Sequence, residues 1–520
     1  MLKTQPLHSS LSIVRLVTAF IAGASTALSF APYEIWAIFP LALSFALWQS
    51  HTLTAKQSLY YWLSFGFGCF AIGISWVHVS IDTFGGMPIF VSISLMALLA
   101  LYLAIYPAIT GYLLNKLSRT AKHTLNPYLT YLGLFPALWV LTEWLRGWVL
   151  TGFPWIWAGY SQTLGPLSEF ASFIGALGLS FVVALVAGSL MLLTQKRVFP
   201  VLIILPILAL SAWAAPQLNP ISASGKTVKV ALVQGNIPQS MKWEPDALWP
   251  TMLKYMDLTR EQFDDASSVD IVIWPEAAIP APEAMVEDFL LNANQVANMN
   301  NTAIITGIIS HQQKDFYNSL IVLGNHHQKQ QQSADYIVGG KNEFKKHHLL
   351  PIGEFVPLGD LLRPIAPFFN LPMSSFQRGD YTQPNLIALG YHVAPAICYE
   401  IAFPEQVRAS VTNETDMLLT VSNDAWFGTS NGPLQHMEIA QMRAIEMGKP
   451  LLRGTNNGIT AVVDPHGRIT DAIPQFETGV LVTNVALYQG ETWFRKIGQL
   501  PLLILCGVLM LFGVRNVLRK

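Results

Sequence analysis

Cys398 is the residue of this chain whose setting most favours nucleophilic chemistry. The chain has three cysteines, and Cys69 and Cys506 fall inside apolar segments, where a thiol usually serves as a small hydrophobic side chain. Cys398 ends a predicted strand and precedes Tyr399, Glu400 and a predicted turn. A residue at such a turn can project into a cleft while nearby backbone N–H groups bind an oxyanion. Position alone leaves two interpretations open, a buried structural thiol or a nucleophile.

A cysteine nucleophile needs a base, because the thiolate is the species that attacks. Two glutamates have unusual settings. Glu276 follows the predicted strand 270–274 in the sequence Trp-Pro-Glu, and strand ends are where doubly wound sheets place their sites. Glu354 lies in the apolar sequence Pro-Ile-Gly-Glu-Phe. Both are therefore candidates for a site built around Cys398.

The basic run 344–348 supplies a candidate cation for the same site. Lys345 and Lys346 are adjacent, followed by two histidines. The alternative is a solvated basic patch or one that touches anionic lipid. Neighbouring residues of an extended chain face opposite ways, so the two histidines do not share a metal, and no third ligand has a recognisable spacing. We expect neither a metal nor an organic cofactor.

The elements that must position these residues are short strands and helices between about residues 216 and 495. Several strands are continuous apolar runs, as expected for strands covered on both faces. The predicted strands are 228–233, 270–274, 302–309, 317–323, 392–398, 416–422, 458–463 and 479–484. The predicted helices are 247–265, 283–299, 404–412 and 433–447. This mixture predicts a layered α/β domain.

The rest of the chain has the composition of a membrane protein. Apolar residues make up 52% of the 520 residues and charged residues 12%, against about 25% in ordinary globular chains. Residues 1–215 hold 13 charged side chains, residues 216–495 hold 46, and the last 25 residues hold four. The net charge of −1 excludes an electrostatic nucleic-acid binder, and the apolar excess excludes a disordered chain.

Eight apolar segments are candidate spans by length. They lie near 11–30, 35–50, 58–77, 88–114, 127–146, 168–194, 198–215 and 497–514. Three parts follow: a transmembrane helical domain of about seven spans (1–215), an α/β catalytic domain (216–495) and a C-terminal transmembrane helix (496–520).

Lysines and arginines concentrate in alternate short loops, which places both termini inside and the α/β domain on the outer face. The inner positive residues are Lys3, Lys56, Lys116, Arg119, Lys122, Lys196, Arg197, Arg515, Arg519 and Lys520.

One span ends in a charged pair and an aromatic stretch. Glu143 and Arg146 are spaced to share a helix face, as a structural ion pair or as a contact for a lipid head group. Composition predicts that the aromatic residues which follow form an interfacial belt. They are Trp148, Phe153, Trp155, Trp157 and Tyr160.

Three motifs, in this order, resemble the nitrilase superfamily with its Glu-Lys-Cys triad. They are Trp274-Pro275-Glu276, Phe344-Lys345-Lys346-His347-His348-Leu349-Leu350-Pro351-Ile352-Gly353-Glu354 and Cys398-Tyr399-Glu400. With helices before this domain and one span after it, the chain resembles the apolipoprotein N-acyltransferases of the bacterial inner membrane. Matching stretches are 234–239 with Trp243, 422–428 and 455–459. Phe344 departs from a pattern that often has Tyr.

The resemblance implies an αββα nitrilase-like sandwich with a bundle of about eight transmembrane helices. It also implies transfer of a fatty acyl chain from a phospholipid, chiefly phosphatidylethanolamine, to the α-amino group of the diacylglyceryl-cysteine of an apolipoprotein. Cys398 attacks the ester and holds the acyl chain as a thioester in a ping-pong scheme, Glu276 moves the protons, and Lys346 stabilises the oxyanion together with a backbone N–H after Cys398.

The resemblance also implies that four further residues support the site. Glu354 and Glu400 orient Lys346 and the neighbouring turn, Tyr399 shapes the acyl pocket, and Trp243 belongs to a matching stretch. The apolar loop 355–376 contains four prolines and little charge, and we expect it to rest on the membrane as part of the acyl path. Its lipid-facing residues are expected to be Leu361, Leu362, Phe368, Phe369 and Leu371.

Two other classes of function remain as alternatives. A membrane-tethered nitrilase-like amidase or hydrolase would use the same triad, but a small soluble substrate gives no reason for so many spans. A non-catalytic module that binds lipoproteins would leave the three motifs without a common purpose. Such a module would be a transporter or a scaffold, and intramembrane charge is too sparse for the ion path of an obvious transporter.

Overall fold

The structure is a computed structural model of the 520-residue chain. It describes residues 11–119, 124–263, 269–325, 336–351, 353–355 and 376–518. The chain divides into two compact units. The first comprises 1–219, 429–438 and 492–520, and the second comprises 220–428 and 439–491.

The first unit is helical. Its helices are α1 (Ile13–Ser25), α2 (Ile38–Ser50), α3 (Ala55–Gly73), α4 (Ile89–Ser118), α5 (Phe135–Arg146), α6 (Ala171–Thr194) and α7 (Phe199–Leu218), with α12 (Trp493–Ile497) and α13 (Leu500–Leu518) near the C-terminus. Each predicted span falls on one of these helices. Four helical segments are long and apolar enough to cross a membrane, namely Ile89–Ser118, Ser168–Thr194, Phe199–Leu218 and Leu500–Leu518. A fifth span results if Ala55–Gly73 and Val77–Phe84, bent by 57°, count as one. The expectation of eight spans stays a prediction.

Glycine allows α1 and α3 to approach closely. A Cβ atom at Gly23 would lie 1.8 Å from the carbonyl oxygen of Phe65, and one at Gly68 would lie 2.1 Å from that of Phe20. Small residues at helix contacts let backbones meet in this way, which stabilises packing where lipid removes the hydrophobic driving force. Helix α3 itself begins at a capping box between Thr54 and Gln57.

Of the two interpretations of Glu143 and Arg146, a structural ion pair or a contact for a lipid head group, the structure favours the ion pair. Both side chains are buried, with 4.0 Å between Arg146 Nη2 and Glu143 Oε1. Arg146 donates to the carbonyl oxygens of Phe153 and Trp155 at 2.8 and 2.7 Å, and Glu143 accepts from the Ala158 N–H at 2.8 Å. The two charges therefore fix the segment that follows the helix.

The predicted aromatic belt is wrong for three of its five residues. Trp155, Trp157 and Tyr160 are at most 3% exposed. The Trp155 indole donates to Gln435 Oε1 at 2.8 Å inside the same unit. Composition alone did not distinguish aromatic side chains that face lipid from those that face protein. Trp148, at 54% exposed, remains compatible with an interfacial position.

The second unit contains thirteen strands in its described part. They are β1 (Ile221–Gln234), β2 (Ile271–Ile273), β3 (Ile279–Pro282), β4 (Ala303–Gln312), β5 (Asp315–Leu323), β6 (Glu343–Lys345), β7 (Leu386–Ala388), β8 (Tyr391–Ile397), β9 (Met417–Ser422), β10 (Leu451–Thr455), β11 (Thr460–Val463), β12 (Ile469–Ile473) and β13 (Gly479–Gly490). The helices are α8 (Pro245–Arg260), α9 (Glu287–Met299) and α10 (Pro404–Ser410), and α11 (Gly432–Met447) begins within 429–438 and ends in this unit.

These strands form two sheets. One has the order β13-β1-β2-β4-β5-β6, with β3 paired to β4, and the other has the order β12-β11-β10-β9-β8-β7. The pairs β1–β2, β2–β4, β8–β9 and β9–β10 are parallel, so their carboxyl ends lie at common sheet edges. Side chains from both sheets share one buried core, which includes Leu232 and Ile273 from the first sheet and Ile397 and Leu419 from the second.

Helices cover the outer faces of the sheets. A second core joins the back of the first sheet to α8 and α9 through Tyr255, Trp274 and Phe289. Helix α10 packs on β8, and the end of α11 contacts the β11–β12 turn through the bond from Gln441 Nε2 to the Gly467 oxygen, 2.7 Å. These layers confirm the predicted αββα sandwich. The apolar helices of the first unit confirm the other part of the predicted fold class, a helical part of the kind found in membranes.

The sequence pattern missed strands β3, β6, β7, β10 and β12. Strand β10 is fully buried yet contains Arg453 in its middle, and an arginine in a five-residue run argues against a strand. The structure resolves this conflict with a buried ion pair, Arg453 Nη2 to Asp424 Oδ2, at 2.7 Å.

Candidate active site

The candidate site lies in the second unit, where several strands end. Glu276 follows β2, Lys346 follows β6, Cys398 follows β8 and Asn423 follows β9. The parallel strands of each sheet bring their carboxyl ends to one edge, which is where α/β folds place their sites. The backbone N–H of Asn423 donates to Glu276 Oε2 at 2.9 Å and so connects the two sheets.

Lys346 lies between two carboxylates. Its Nζ atom is 3.2 Å from Glu276 Oε1 and 2.9 Å from Glu354, and its side chain is only 1% exposed. The amide nitrogen of Asn318, on β5, donates to both Glu276 Oε1 and Glu354 Oε1 at 2.8 Å. The Leu350 N–H also donates to Glu354, at 2.8 Å. The shared donors Lys346 and Asn318 therefore link the two carboxylates and fix their orientations.

The charges of the cluster reinforce one another. Burial opposes the ionised form of Glu276, but the Lys346 charge and the bonds from Asn318 and Asn423 outweigh it and lower the pKa of that carboxyl below its ordinary value. Burial also opposes a charged Lys346, yet the charges of Glu276 and Glu354 raise the pKa of its ammonium well above the usual range. At neutral pH Glu276 and Lys346 are therefore both ionised.

Cys398 has a strained backbone and a protonated thiol. It is the first residue after β8, and its φ angle is +54°, in the left-handed region that side chains other than glycine rarely adopt. Such strain costs about 1–3 kcal/mol and tends to occur at functional sites. Burial and the negative charge of Glu276 raise the pKa of the thiol well above its usual range, so attack requires a base to remove the proton.

The charges of Glu276 and, more weakly, Asp424 act on that thiol, and Ser422, at the end of the neighbouring strand β9, contacts the sulfur. The Ser422 hydroxyl lies 3.4 Å from Cys398 Sγ and 2.6 Å from Asp424 Oδ1. Asp424 is in turn held by Arg453. The neighbourhood of Cys398 thus contains a carboxylate, a cation and a hydroxyl, which are the kinds of group that acyl transfer through a covalent intermediate requires.

The two adjacent lysines face different surroundings. Lys345 points away from the cluster: its Nζ atom lies 2.9 Å from Gln312 Oε1 and 3.5 Å from Glu343, and it stacks over the Tyr317 ring at 4.6 Å. Lys346 alone enters the carboxylate cluster. The Phe344 side chain is buried in the core between the sheets.

Glu400 connects the lysine segment to the cysteine turn. Its Oε1 atom accepts from the N–H groups of His347 and His348 at 2.8 and 3.0 Å, and Oε2 accepts from the Ile397 N–H at 2.8 Å. The Gln406 amide adds a bond of 2.7 Å. Burial raises the pKa of this carboxyl. Glu400 therefore orients backbone on both sides of the site without contacting the Lys346 ammonium.

Tyr399 and Trp243 lie in aromatic and apolar surroundings. The Tyr399 ring is buried and lies 6.0 Å from the His348 ring and 5.1 Å from the Phe403 ring. Trp243 is half-buried and packs on a small cluster of Ile309, Leu349 and Phe376. The loop 355–376, with Leu361, Leu362, Phe368, Phe369 and Leu371, lies outside the described residues except for its two ends.

Several residues of the site were not singled out from the sequence. Asn456, after β10, donates to the Ile237 oxygen at 2.8 Å and to Asn423 Oδ1 at 3.0 Å, and Asn423 donates to Gln239 at 2.6 Å. The stretches that contain these asparagines were recognised as motifs without a role. Lys242 is 3% exposed, and its Nζ atom lies 2.9 Å from the Glu276 carbonyl oxygen. Asn318 gave no signal, because it lies within an ordinary strand.

A glycine on β4 permits the Glu276 turn to approach. A Cβ atom at Gly307 would lie 2.4 Å from the Ala277 nitrogen and 2.5 Å from the Pro275 oxygen. Both distances are shorter than any normal contact. In the described ranges, no group of three or more His, Cys, Asp or Glu side chains is placed to hold a metal ion.

A cysteine, a buried glutamate and a buried lysine at the strand ends of an αββα sandwich define a protein of the carbon–nitrogen hydrolase class. The carbon-nitrogen hydrolase family matches residues 229–495, and the apolipoprotein N-acyltransferase N-terminal domain matches residues 22–189. A CN-hydrolase superfamily protein from Xanthomonas campestris, 17% identical, covers 50% of this chain and 91% of its own with a TM-score of 0.36.

Full-length relatives define the family more narrowly. The apolipoprotein N-acyltransferase of Shewanella oneidensis is 71% identical over 505 residues, which cover 97% of this chain and 96% of the relative. That of Photobacterium profundum is 48% identical over 496 residues, covering 95% and 93%. The chain belongs to the apolipoprotein N-acyltransferase family, and the resemblance seen in its sequence is confirmed.

Proposed function

We propose that this protein transfers a fatty acyl chain from a phospholipid to the α-amino group of the diacylglyceryl-cysteine of an apolipoprotein, through a thioester on Cys398. The observation that supports this most directly is the buried Glu276–Lys346 pair beside a cysteine whose thiol is protonated at rest. A thiol of this kind attacks an ester only with a base at hand, and we assign that role to the ionised Glu276, whose charge acts on the thiol.

The first half-reaction forms the thioester. Glu276 takes the proton of the Cys398 thiol while the sulfur attacks the ester carbonyl carbon, and the carbonyl oxygen becomes an oxyanion. Lys346, fixed between its two carboxylates, stabilises that negative charge as an oriented cation in a buried site. The C–O bond then breaks, Glu276 returns its proton to the leaving glycerol oxygen, and the lysophospholipid departs.

The second half-reaction uses the same groups in reverse. The neutral α-amino group of the acceptor attacks the thioester carbonyl, and Glu276, again a carboxylate, takes the amine proton. The C–S bond breaks, and the proton passes to the Cys398 sulfur. The order of these steps is a ping-pong scheme, because the donor leaves before the acceptor reacts. Water must be kept from the carbonyl during the interval.

Four residues support this reaction from outside the reacting atoms. Glu354 holds Lys346 and Asn318. Glu400 fixes the backbone just before Cys398, at Ile397, and the backbone just after Lys346, at His347 and His348. Tyr399 and Trp243 supply apolar surface for the acyl chain, in keeping with their aromatic and apolar neighbours. We assign the apolar loop 355–376 to the acyl path on the strength of its composition.

The membrane arrangement follows from the distribution of positive charge. We place residues 1–215 and 496–520 in the inner membrane, with both termini in the cytoplasm and residues 216–495 in the periplasm. The phospholipid donor is then drawn from the surrounding bilayer, and we take phosphatidylethanolamine as the principal donor. An acceptor that is itself lipid-anchored meets the site at the same surface.

Transfer and hydrolysis are separated by one experiment. Purified protein is incubated with phosphatidylethanolamine vesicles, with or without a diacylglyceryl-cysteine peptide. We expect N-acylation of the peptide and little release of free fatty acid when the peptide is absent. Rapid release of free fatty acid without acceptor, and no N-acyl product with it, would identify a hydrolase instead.

A further inference from the structure

Lys242 is a buried lysine that the mechanism above does not use. It lies in the turn between β1 and α8, where the Met241 N–H donates to the Pro238 oxygen at 3.0 Å. Gln239 of the same turn accepts from the Asn423 amide at 2.6 Å. The turn is therefore attached to the segment that also donates to Glu276, and Lys242 is held at the candidate active site.

The ammonium of Lys242 is only partly satisfied. Its Nζ atom is 2.9 Å from the Glu276 carbonyl oxygen, and among the described residues it forms no ion pair within 4.0 Å. An ammonium carries three donors, so a buried one with a single neutral acceptor is costly unless its charge is balanced nearby. Burial lowers the pKa of Lys242 to about 8, and the charge of Glu276 opposes that shift. The balancing charges are those of the site.

The charges around the thiol explain why a second cation is needed. Lys346 carries one positive charge and contacts two carboxylates, Glu276 and Glu354, so it does not balance both by itself. Lys242 supplies the second positive charge, and its field lowers the pKa of the Glu276 carboxyl. Glu276 is therefore influenced from two sides, by Lys346 at its carboxylate and by Lys242 at its backbone.

We propose that Lys242 is a positioning residue for the base: its ammonium holds the Glu276 turn by the carbonyl oxygen, and its charge keeps the Glu276 side chain ionised until the thiol proton arrives. Ionised Glu276 accepts the proton from Cys398, whereas protonated Glu276 cannot. Lys242 contacts neither sulfur nor substrate in this account. It acts through Glu276 and sets the lower pH limit of thioester formation.

The charged and titratable groups facing the base come from several elements. They are Lys242 from the β1–α8 turn, Lys346 from the segment after β6, Glu354 through the shared Lys346 and Asn318, and Cys398 from the end of β8, which also faces Asp424. Because Lys242 lowers the pKa of Glu276, its neutralisation must raise that pKa. As the solution is acidified, the Glu276 carboxylate is then protonated at a higher pH and can no longer act as the base.

The test is the pH profile of thioester formation by the full-length protein with phosphatidylethanolamine vesicles and no acceptor. Lys242→Gln keeps an N–H donor for the carbonyl oxygen but removes the charge. In this variant we expect the acidic limb of the pH profile, where the rate of thioester formation falls, to shift upward by roughly one pH unit. Lys242→Arg retains the charge and is expected to keep the wild-type limb. An unshifted limb in Lys242→Gln overturns the proposal.

Lys449 provides a matched control. It is also a buried lysine whose Nζ atom contacts a backbone oxygen, that of Tyr488, at 3.0 Å. Tyr488 pairs with Ala223 near the start of β1, whereas Lys242 lies beyond the opposite end of that strand. Lys449→Gln is expected to leave the limb in place. An equal shift in Lys449→Gln would mean that the effect comes from general destabilisation, and would reject the proposal.

A folding failure is also informative. If Lys242→Gln loses the wild-type melting transition, the double variant Lys242→Gln, Glu276→Gln is compared with it. Restored melting supports a charge balance between the two residues, and melting that is not restored contradicts it. The inference rests on the proposed function, and the two fail differently. A wild-type protein that forms no thioester removes the proposed function, whereas a thioester with an unshifted limb removes only the role of Lys242.

Discussion

Replacement of Lys346 by methionine tests both the charge balance and the chemistry of the site. Methionine preserves most of the buried volume but leaves Glu276 and Glu354 without their contacting cation. Removing one partner of a buried ion pair typically costs about 3–5 kcal/mol of unfolding free energy. Lys345→Met is the matched control, because the neighbouring side chain is partly exposed and its pairs contribute within about 1 kcal/mol.

The stability loss should depend on pH in a defined direction. Glu276 has a lowered pKa in the folded protein, so the stabilisation it receives is present above the unfolded pKa of a glutamate and lost as pH falls through the folded value. Lys346 has a raised pKa, so its contribution persists below the unfolded pKa of a lysine and is lost only as pH rises through its folded value. The deficit of Lys346→Met should therefore be largest between about pH 5 and 10 and shrink on acidification.

Two assays on the same preparations provide the measurement. Thermal unfolding in detergent, followed by tryptophan fluorescence from about pH 2 to pH 9 in steps of about one unit, gives the stability difference. Intact-mass analysis of thioester formation gives the rate, which should fall by a factor of about 10² or more for Lys346→Met, as for loss of an oxyanion donor. Equal effects from Lys345→Met, or a deficit that does not shrink in acid, would refute the assignment of Lys346.

Three further predictions concern the nucleophile and the base. Cys398→Ala should abolish transfer, whereas the double change Cys69→Ala, Cys506→Ala should leave it largely intact; the reverse order in a peptide N-acylation assay would assign the nucleophile elsewhere. Because the thiol pKa is raised, alkylation of Cys398 by iodoacetamide without lipid should still accelerate above pH 9, as followed by peptide mass, and a plateau near about pH 8.5, the ordinary thiol pKa, would contradict this. Gly307→Ala should lower the rate of thioester formation more than tenfold by displacing the Glu276 turn, and an unchanged rate would show that the turn adjusts at no cost.

Much of the fold was predictable, because strands covered on both faces appear as continuous apolar runs. The strands that precede Glu276 and Cys398 were recognised in this way, and the order of the three motifs indicated the family. The misses have physical causes. Strand β10 carries a buried Arg453, whose partner Asp424 lies 29 residues away. The buried position of Trp155 depends on Gln435, 280 residues away in the chain.

The supporting residues of the site show the same limit. Lys242 and Asn318 reach Glu276 from segments 34 and 42 residues distant, and neither position has a local pattern that sets it apart. Lys345 and Lys346 could be distinguished only by the register of a motif, and the structure places Lys346 in the carboxylate cluster. Contacts of this kind are determined by the sheet topology, which a pattern of residue types does not specify.

The central claim is that Cys398 carries the acyl chain between two lipid substrates. The most direct test is the intact mass of the wild-type protein after incubation with phosphatidylethanolamine and no apolipoprotein. We predict a gain of one acyl chain located on Cys398, removed by hydroxylamine at neutral pH and discharged far faster by the diacylglyceryl-cysteine peptide than by water. Absence of the adduct, together with intersecting rather than parallel double-reciprocal plots for the two substrates, would contradict the account and indicate direct transfer in a ternary complex.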